Sequence, residues 1–149
     1  MYKRQCIDRR GLVKWCRTDS GIISYVHEGN YLYGANKLKA QKLDVNTGEV
    51  LVESEFSQYF EGKRYLILGE SGRWVYEDYF FVPIIIENNH DILIFNKDTL
   101  DIVGLFKPHV LKGEFCQLAN MQNNLFYYSK GKIYYKNTSD VLKIYEVDL

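Results

Sequence analysis

Proline, cysteine, histidine and net charge are all scarce here: two prolines, three cysteines, three histidines, and nineteen basic side chains matched by nineteen acidic ones in 149 residues. Each shortage excludes something. Cys6, Cys16 and Cys116 are odd in number and widely spaced, which argues against a disulfide framework and for reduced thiols. Cys6 and Cys116 lie among strand-forming residues and read as small buried hydrophobes. Charge balance removes the long-range field that draws a protein to nucleic acid or to an anionic membrane. Only Arg4, Arg9, Arg10, Lys14 and Arg17 form a basic run, and it reads as a solvated terminus. No segment approaches the roughly eighteen uninterrupted apolar residues of a membrane span, and the N-terminal stretch has no signal-peptide core. A cytoplasmic chain without nucleic-acid or membrane partners is the expectation.

Motifs that carry chemistry are also missing. His27, His90 and His109 are isolated, each read into a loop or link, and scattered surface histidines are the simpler reading. The cysteines have no paired spacing for zinc. Asp44-x-Asn46-x-Gly48-Glu49 has the oxygen-rich look of a calcium loop but lacks its length and distal glutamate. Asp, Asn and Gly are equally what a hairpin turn requires of its backbone angles. There is no Gly-x-Ser-x-Gly elbow, and Glu70-Ser71-Gly72-Arg73 reads as a hairpin. Glycine-rich phosphate loops do not occur. The expectation is a non-enzyme without metal or cofactor.

What the chain has is aromatics and a repeat. Thirteen Tyr and eight Phe, with many Ile and Val, favour strands throughout. The one helix candidate, Ser54 to Phe60, is short. A strand, polar residue, tight turn, strand pattern recurs at Gln5-Cys6-Ile7-Asp8, Gln41-Lys42-Leu43-Asp44, Ile94-Phe95-Asn96 and Tyr134-Tyr135-Lys136. It divides one all-β domain into an N-terminal hairpin (1–18) and three units of four strands (19–56, 63–107 and 113–149). The first unit predicts strands Gly21 to Val26, Asn30 to Asn36, Leu38 to Asp44 and Glu49 to Ser54. The second predicts Arg64 to Leu68, Val75 to Ile86, Asp91 to Asn96 and Leu100 to Phe106, with an insertion around Asn88, Asn89 and His90. The third runs from Glu114 to Val147. Phe56 and Gly62 before Arg64-Tyr65 match Phe106 and Gly113 before Glu114-Phe115.

A sheet wet on one face alternates apolar and polar residues. Tyr65-Leu66-Ile67-Leu68, Ile84-Ile85-Ile86, Ile92-Leu93-Ile94-Phe95 and Leu125-Phe126-Tyr127-Tyr128 do not alternate, which predicts sheets covered on both faces. Pro83 within such a strand belongs at an edge or bulge.

These units resemble the blades of β-propellers of the quinoprotein or kelch-like kind, and Leu43-Asp44-Val45-Asn46-Thr47-Gly48-Glu49-Val50 is similar to the quinoprotein-type turn. The resemblance implies a small propeller-like stack and no cofactor, since such turns are structural in many propellers. Closed propellers have about four to eight blades. The chain could close as a compressed ring, pair with a second copy as a homodimer, stay an open stack, or form part of something longer. Recognition is left to the aromatics. Trp74 with Arg73 and Tyr76, and then Trp15, Tyr79 and Tyr128, are the candidate binding residues. Tyr31, Tyr33, Tyr127, Tyr134 and Tyr135 are further members of an aromatic face. In size and character the chain resembles bacterial immunity proteins, which implies a protein partner and specifically a cognate toxin. A carbohydrate- or small-ligand-binding propeller, or a subunit of a larger propeller enzyme, are the alternatives.

Overall fold

The computed structural model describes residues 3–7, 10, 12–18, 21–22, 24–67, 72–108, 126–136 and 141–149. They form antiparallel strands arranged in separate sheets. A hairpin joins β1 (Lys3–Ile7) to β2 (Val13–Thr18). Sheet I follows in simple meander order: β3 (Tyr25–Glu28), β4 (Tyr31–Ala35), β5 (Lys39–Asp44) and β6 (Val50–Glu55). A 3-10 turn at Ser57–Phe60 stands where the sequence offered its helix candidate. Sheet II contains β7 (Tyr65–Ile67), β8 (Trp74–Tyr76), β9 (Tyr79–Ile86), β10 (Asn89–Asn96) and β11 (Ile102–Phe106). Sheet III orders β12 (Phe126–Ser129), β13 (Lys132–Lys136) and β14 (Leu142–Glu146). The strand expected at Glu114, together with His109, Gly113 and Cys116, lies outside the described residues.

The repeated turn is the same construction in sheets I and II. Asp44 Oδ1 accepts from the N–H groups of Asn46 and Thr47 at 2.7 and 2.9 Å, and Asn96 Oδ1 accepts from Asp98 and Thr99 at 2.9 and 3.1 Å. Thr47 Oγ1 then takes the Glu49 N–H, as Thr99 Oγ1 takes that of Asp101, both at 3.2 Å. Short polar side chains that bond their own backbone two and three residues on are what hold such turns. The fifth position is left-handed in both, with φ +72° at Gly48 and +60° at Leu100. Leu100 accepts that conformation while burying its side chain in the core between sheets.

Three expectations are corrected in sheet II. The long strand Val75 to Ile86 is broken by a turn at Glu77-Asp78, so β8 and β9 form their own hairpin. Asn89 and His90 do not form an insertion; they begin β10, and Asn89 pairs with Ile86 across the two-residue turn Glu87-Asn88. The extra length of the unit went into β8 instead. Both β7 and β8 lie along the same edge of β9, pairing with Ile84–Ile86 and Tyr79–Phe81 respectively.

That split explains Pro83. Alternate residues of an antiparallel strand direct both backbone groups to the same neighbour. Two-residue turns at each end of β9 then set its odd-numbered residues toward β8 and β7 and its even ones toward β10. Glu87 N–H donating to Arg64 O, and Lys97 N–H to Asp78 O, agree with this assignment. Pro83 is odd, and it falls between the last residue paired with β8 and the first paired with β7. The absent N–H is therefore at a seam rather than within a ladder.

Sheet II is covered on both faces, as its lack of alternation required. Phe80, Val82, Ile84, Leu93 and Phe95 pack with Tyr33, Ala35, Ala40, Phe56 and Phe60 of sheet I and its link. Phe81, Ile92 and Ile94 pack with Phe126, Tyr128, Ile133 and Tyr135 of sheet III. The two linking phenylalanines act alike: Phe56 meets Phe95 at 5.3 Å, and Phe106 meets Tyr145 at 4.9 Å. For two other non-alternating segments the expectation fails. Leu66 of β7 is exposed, and among the described residues sheet III is covered on one face only.

Candidate functional site

The aromatic residues singled out from sequence are brought together, but mainly as packing. Trp74, Arg73 and Tyr128, three of the candidate binding residues, are only 8, 7 and 5% exposed, so in this chain they are packed within it rather than presented at the surface. Trp74 is placed by β8, and its ring lies 4.7 Å from that of Phe126. A Cβ on Gly72 would stand 2.6 Å from the same indole, so the residue before Arg73 is held small by the packing. Tyr76 donates its hydroxyl to Phe126 O at 3.1 Å, and Tyr79 meets Tyr128 edge-on at 5.4 Å while its hydroxyl reaches Leu149 O at 3.3 Å. Arg73 points the other way, donating to Ser24 Oγ and to Ala35 O of sheet I, the latter at 3.0 Å. Its charge is buried against oxygen acceptors, as a buried guanidinium requires.

Trp15 has a comparable duty at the N-terminal hairpin. Its indole N–H donates to Val45 O at 2.9 Å, and a Cβ on Gly48 would come within 2.5 Å of its ring. The half-buried ring thus clamps the hairpin onto the repeated turn of sheet I.

A polar cluster that sequence reasoning missed joins sheets I and II at their turn end. Lys42 Nζ meets Asp98 Oδ1 at 2.8 Å and lies 4.4 and 5.6 Å from the ring centres of Tyr31 and Tyr33. Burial pulls the Lys42 ammonium down, but its hydrogen bond to Asp98 and the Tyr33 and Asp98 charges leave its pKa raised. Burial raises the Tyr33 phenol as well, against the opposing pull of Lys42. Both groups are moved away from neutrality, so neither is poised as a base near pH 7. The cluster works as a clamp, with Lys97 and Glu28 at 3.6 Å beside it. No group of three metal-ligating side chains occurs among the described residues.

An uncovered surface among the described residues is the outer face of sheet III. Here the alternation is real: Phe126, Tyr128, Ile133 and Tyr135 turn inward, whereas Tyr127, Leu142 and Ile144 are 51, 59 and 57% exposed. Register places Tyr127 opposite Tyr134, and Tyr134 opposite Ile144, so the three form one row across three strands. The rings of Tyr127 and Tyr134 are 5.9 Å apart, and Tyr76 supports Tyr127 edge-on at 5.0 Å. Lys132 and Glu146, 3.4 Å apart, close one end of the row with charge. Sequence reasoning had named Tyr127 and Tyr134 as members of an aromatic face but not Leu142 or Ile144. The signal available was period two in Leu142-Lys143-Ile144-Tyr145-Glu146, hidden because both faces carry large apolar side chains.

Successive antiparallel meanders stacked face to face define a β-propeller-like, all-β protein. No protein-family model matches the chain, and no curated protein matches its sequence. Among solved structures, the crystal structure of BamB from Moraxella catarrhalis, a β-propeller, is similar with a TM-score of 0.55 at 13% identity. The alignment covers 97% of this chain and 43% of that one, so the chain spans less than half the length of its structural neighbour.

Proposed function

We propose that this chain is a non-enzymatic protein-binding module whose contact surface is the outer face of sheet III. The observation that carries this reading is the row Tyr127, Tyr134 and Ile144, exposed at Tyr127 and Ile144 and half-buried at Tyr134, with exposed Leu142 beside it. Contiguous apolar area rimmed by charge is characteristic of interaction sites, and tyrosine gives large contact area at small conformational cost. The partner class we propose is a cognate toxin, neutralised by direct coverage in the cytoplasm. Modest size and exact charge balance support that choice, since such a chain acts through a shaped contact surface rather than a long-range field.

The test combines the chain with the product of the reading frame upstream of its gene. A stable one-to-one complex in size-exclusion light scattering is expected, lost in Ile144→Asp while the melting temperature stays within a few degrees. No complex, or a complex indifferent to Ile144→Asp and Tyr127→Ser, overturns the reading. A mass twice that of the chain before any partner is added assigns this face to a second copy instead.

A further inference from the structure

A separate site lies where the 3-10 turn after sheet I meets the β9–β10 hairpin. Asp91 pairs across the ladder with Ile84, and it shares the face of β10 that carries Leu93 and Phe95 toward sheet I. The residue thus closes the end of an apolar interface and as a whole is only 4% exposed. Among the described residues no hydrogen bond or ion pair reaches it; Lys107 and His90 act on it only as nearby charges. Desolvation raises its pKa, which marks an anion held where water does not stabilise it well. A buried carboxylate is ordinarily paired or hydrogen-bonded, and this one performs no turn, cap or clamp.

The carboxylate lines a cavity of about 320 Å³, at the lower end of the size range of small-molecule sites. Tyr59 forms one wall, its exposed ring braced edge-on against Phe60 at 5.0 Å. Lys63 and Lys107 bring two ammonium donors, Asn89 both a donor and an acceptor, and Glu87 and Asp91 two carboxylates. Glu87 is already committed to the Arg64 N–H at 2.7 Å, which leaves Asp91 as the acceptor without a partner. An anionic ligand would meet two carboxylates here, and a cationic one two ammonium groups. The charges balance best around a neutral molecule that both donates and accepts hydrogen bonds and has a flat apolar side for the Tyr59 ring.

We infer that the Asp91 cavity is a binding site for an uncharged polyhydroxyl ligand of sugar-ring size, with Asp91 accepting from its hydroxyl groups and Tyr59 stacking on its C–H face. The site is independent of sheet III and goes beyond the protein-binding reading.

Titration of the intact chain with glucose, galactose, mannose and N-acetylglucosamine, followed by saturation-transfer NMR and calorimetry, tests it. Saturable binding of at least one sugar is expected, with Kd in the range of about 0.1–10 mM. Asp91→Asn and Tyr59→Ala should each weaken that sugar about ten-fold or more, the size of one lost buried hydrogen bond or stacking contact. Ile144→Asp should leave the titration unchanged, which separates this site from the sheet III surface. Asp91→Asn should melt no lower than the parent chain, because it removes a desolvated charge that no hydrogen bond or ion pair holds among the described residues. Were that variant to unfold, Tyr59→Ala, at an exposed position, still decides the question. No saturable binding of any of the four sugars, or binding that both variants leave intact, overturns the inference and leaves a hydrated cavity.

Discussion

Sheets II and III both carry strands rich in large apolar side chains, yet sheet II is buried on both faces and sheet III, among the described residues, on one. In sheet II, β9 and β10 place Phe80, Val82 and Leu93 toward sheet I and Phe81, Ile92 and Ile94 toward sheet III. In sheet III, Phe126, Tyr128, Ile133 and Tyr135 are buried toward sheet II with Tyr145 packed against them, while Tyr127, Leu142 and Ile144 face outward. Strand composition therefore reports that a sheet suits stacking, not whether anything is stacked upon it. The cover comes from the neighbouring units: sheet II lies between sheets I and III, whereas sheet III, among the described residues, has sheet II on one face. The physical distinction between core and contact surface in this fold is position along the stack.

The largest test of that distinction is Trp74→Ala. If the indole belongs to the seam between sheets II and III, its loss leaves a cavity beside Phe126 and costs about 3–5 kcal/mol, a large share of the stability of a typical domain. Chemical denaturation followed by far-ultraviolet circular dichroism measures it. A Trp74→Ala protein with unchanged stability would instead return the residue to the surface role suggested by its sequence context.

Legibility from sequence divided along the same line between local and non-local physics. The repeated turns were readable because Asp44 and Asn96 bond their own backbone within three residues, so the signal and the structure occupy the same short window. The two-sided burial of β9 and β10 was readable because both neighbours leave their mark on the strand itself. The break between β8 and β9 was not, since Glu77-Asp78 is the one polar pair in an otherwise strand-forming run and the turn uses Glu77 at φ +52° rather than glycine or proline. Trp74, Arg73 and Tyr128 were misread because aromatic and cationic side chains suit an interface within one chain as well as one between chains. Asp91 and Lys42 had only a weak signal, because a charge within a predicted strand does not say what packs against it, and their surroundings are set by sheet-to-sheet packing.

A second comparison within the stack lies at the repeated turn, where sheet I has Gly48 and sheet II has Leu100 in the same left-handed position. Leu100 offsets its backbone strain by burial against Phe95 and its neighbours. Gly48 has no such outlet, because the space above it is filled by the Trp15 ring. Gly48→Ala should therefore combine left-handed strain with displacement of the indole, for a cost of about 1–3 kcal/mol. Loss of the Trp15 to Val45 hydrogen bond should red-shift tryptophan emission before the main unfolding transition. A blue-shifted or unchanged spectrum with parental stability would show that the hairpin does not depend on this clamp.

The smallest expected effect is the most direct measure of the bare face. Ile133 and Ile144 stand on adjacent strands of one sheet, offset by one residue in register, so one side chain turns inward and the other outward. Truncating Ile133 to alanine removes buried volume from the seam with sheet II and should cost about 2–5 kcal/mol. The same change at Ile144 removes side-chain atoms already in water and should stay within about 0.5 kcal/mol. The ratio of the two costs is informative because residue type, strand partner and unfolded state are nearly the same in both. If Ile144→Ala proves as damaging as Ile133→Ala, then something covers the outer face in solution. Dependence of that cost on protein concentration would identify the cover as another copy of the chain, because only self-association responds to concentration.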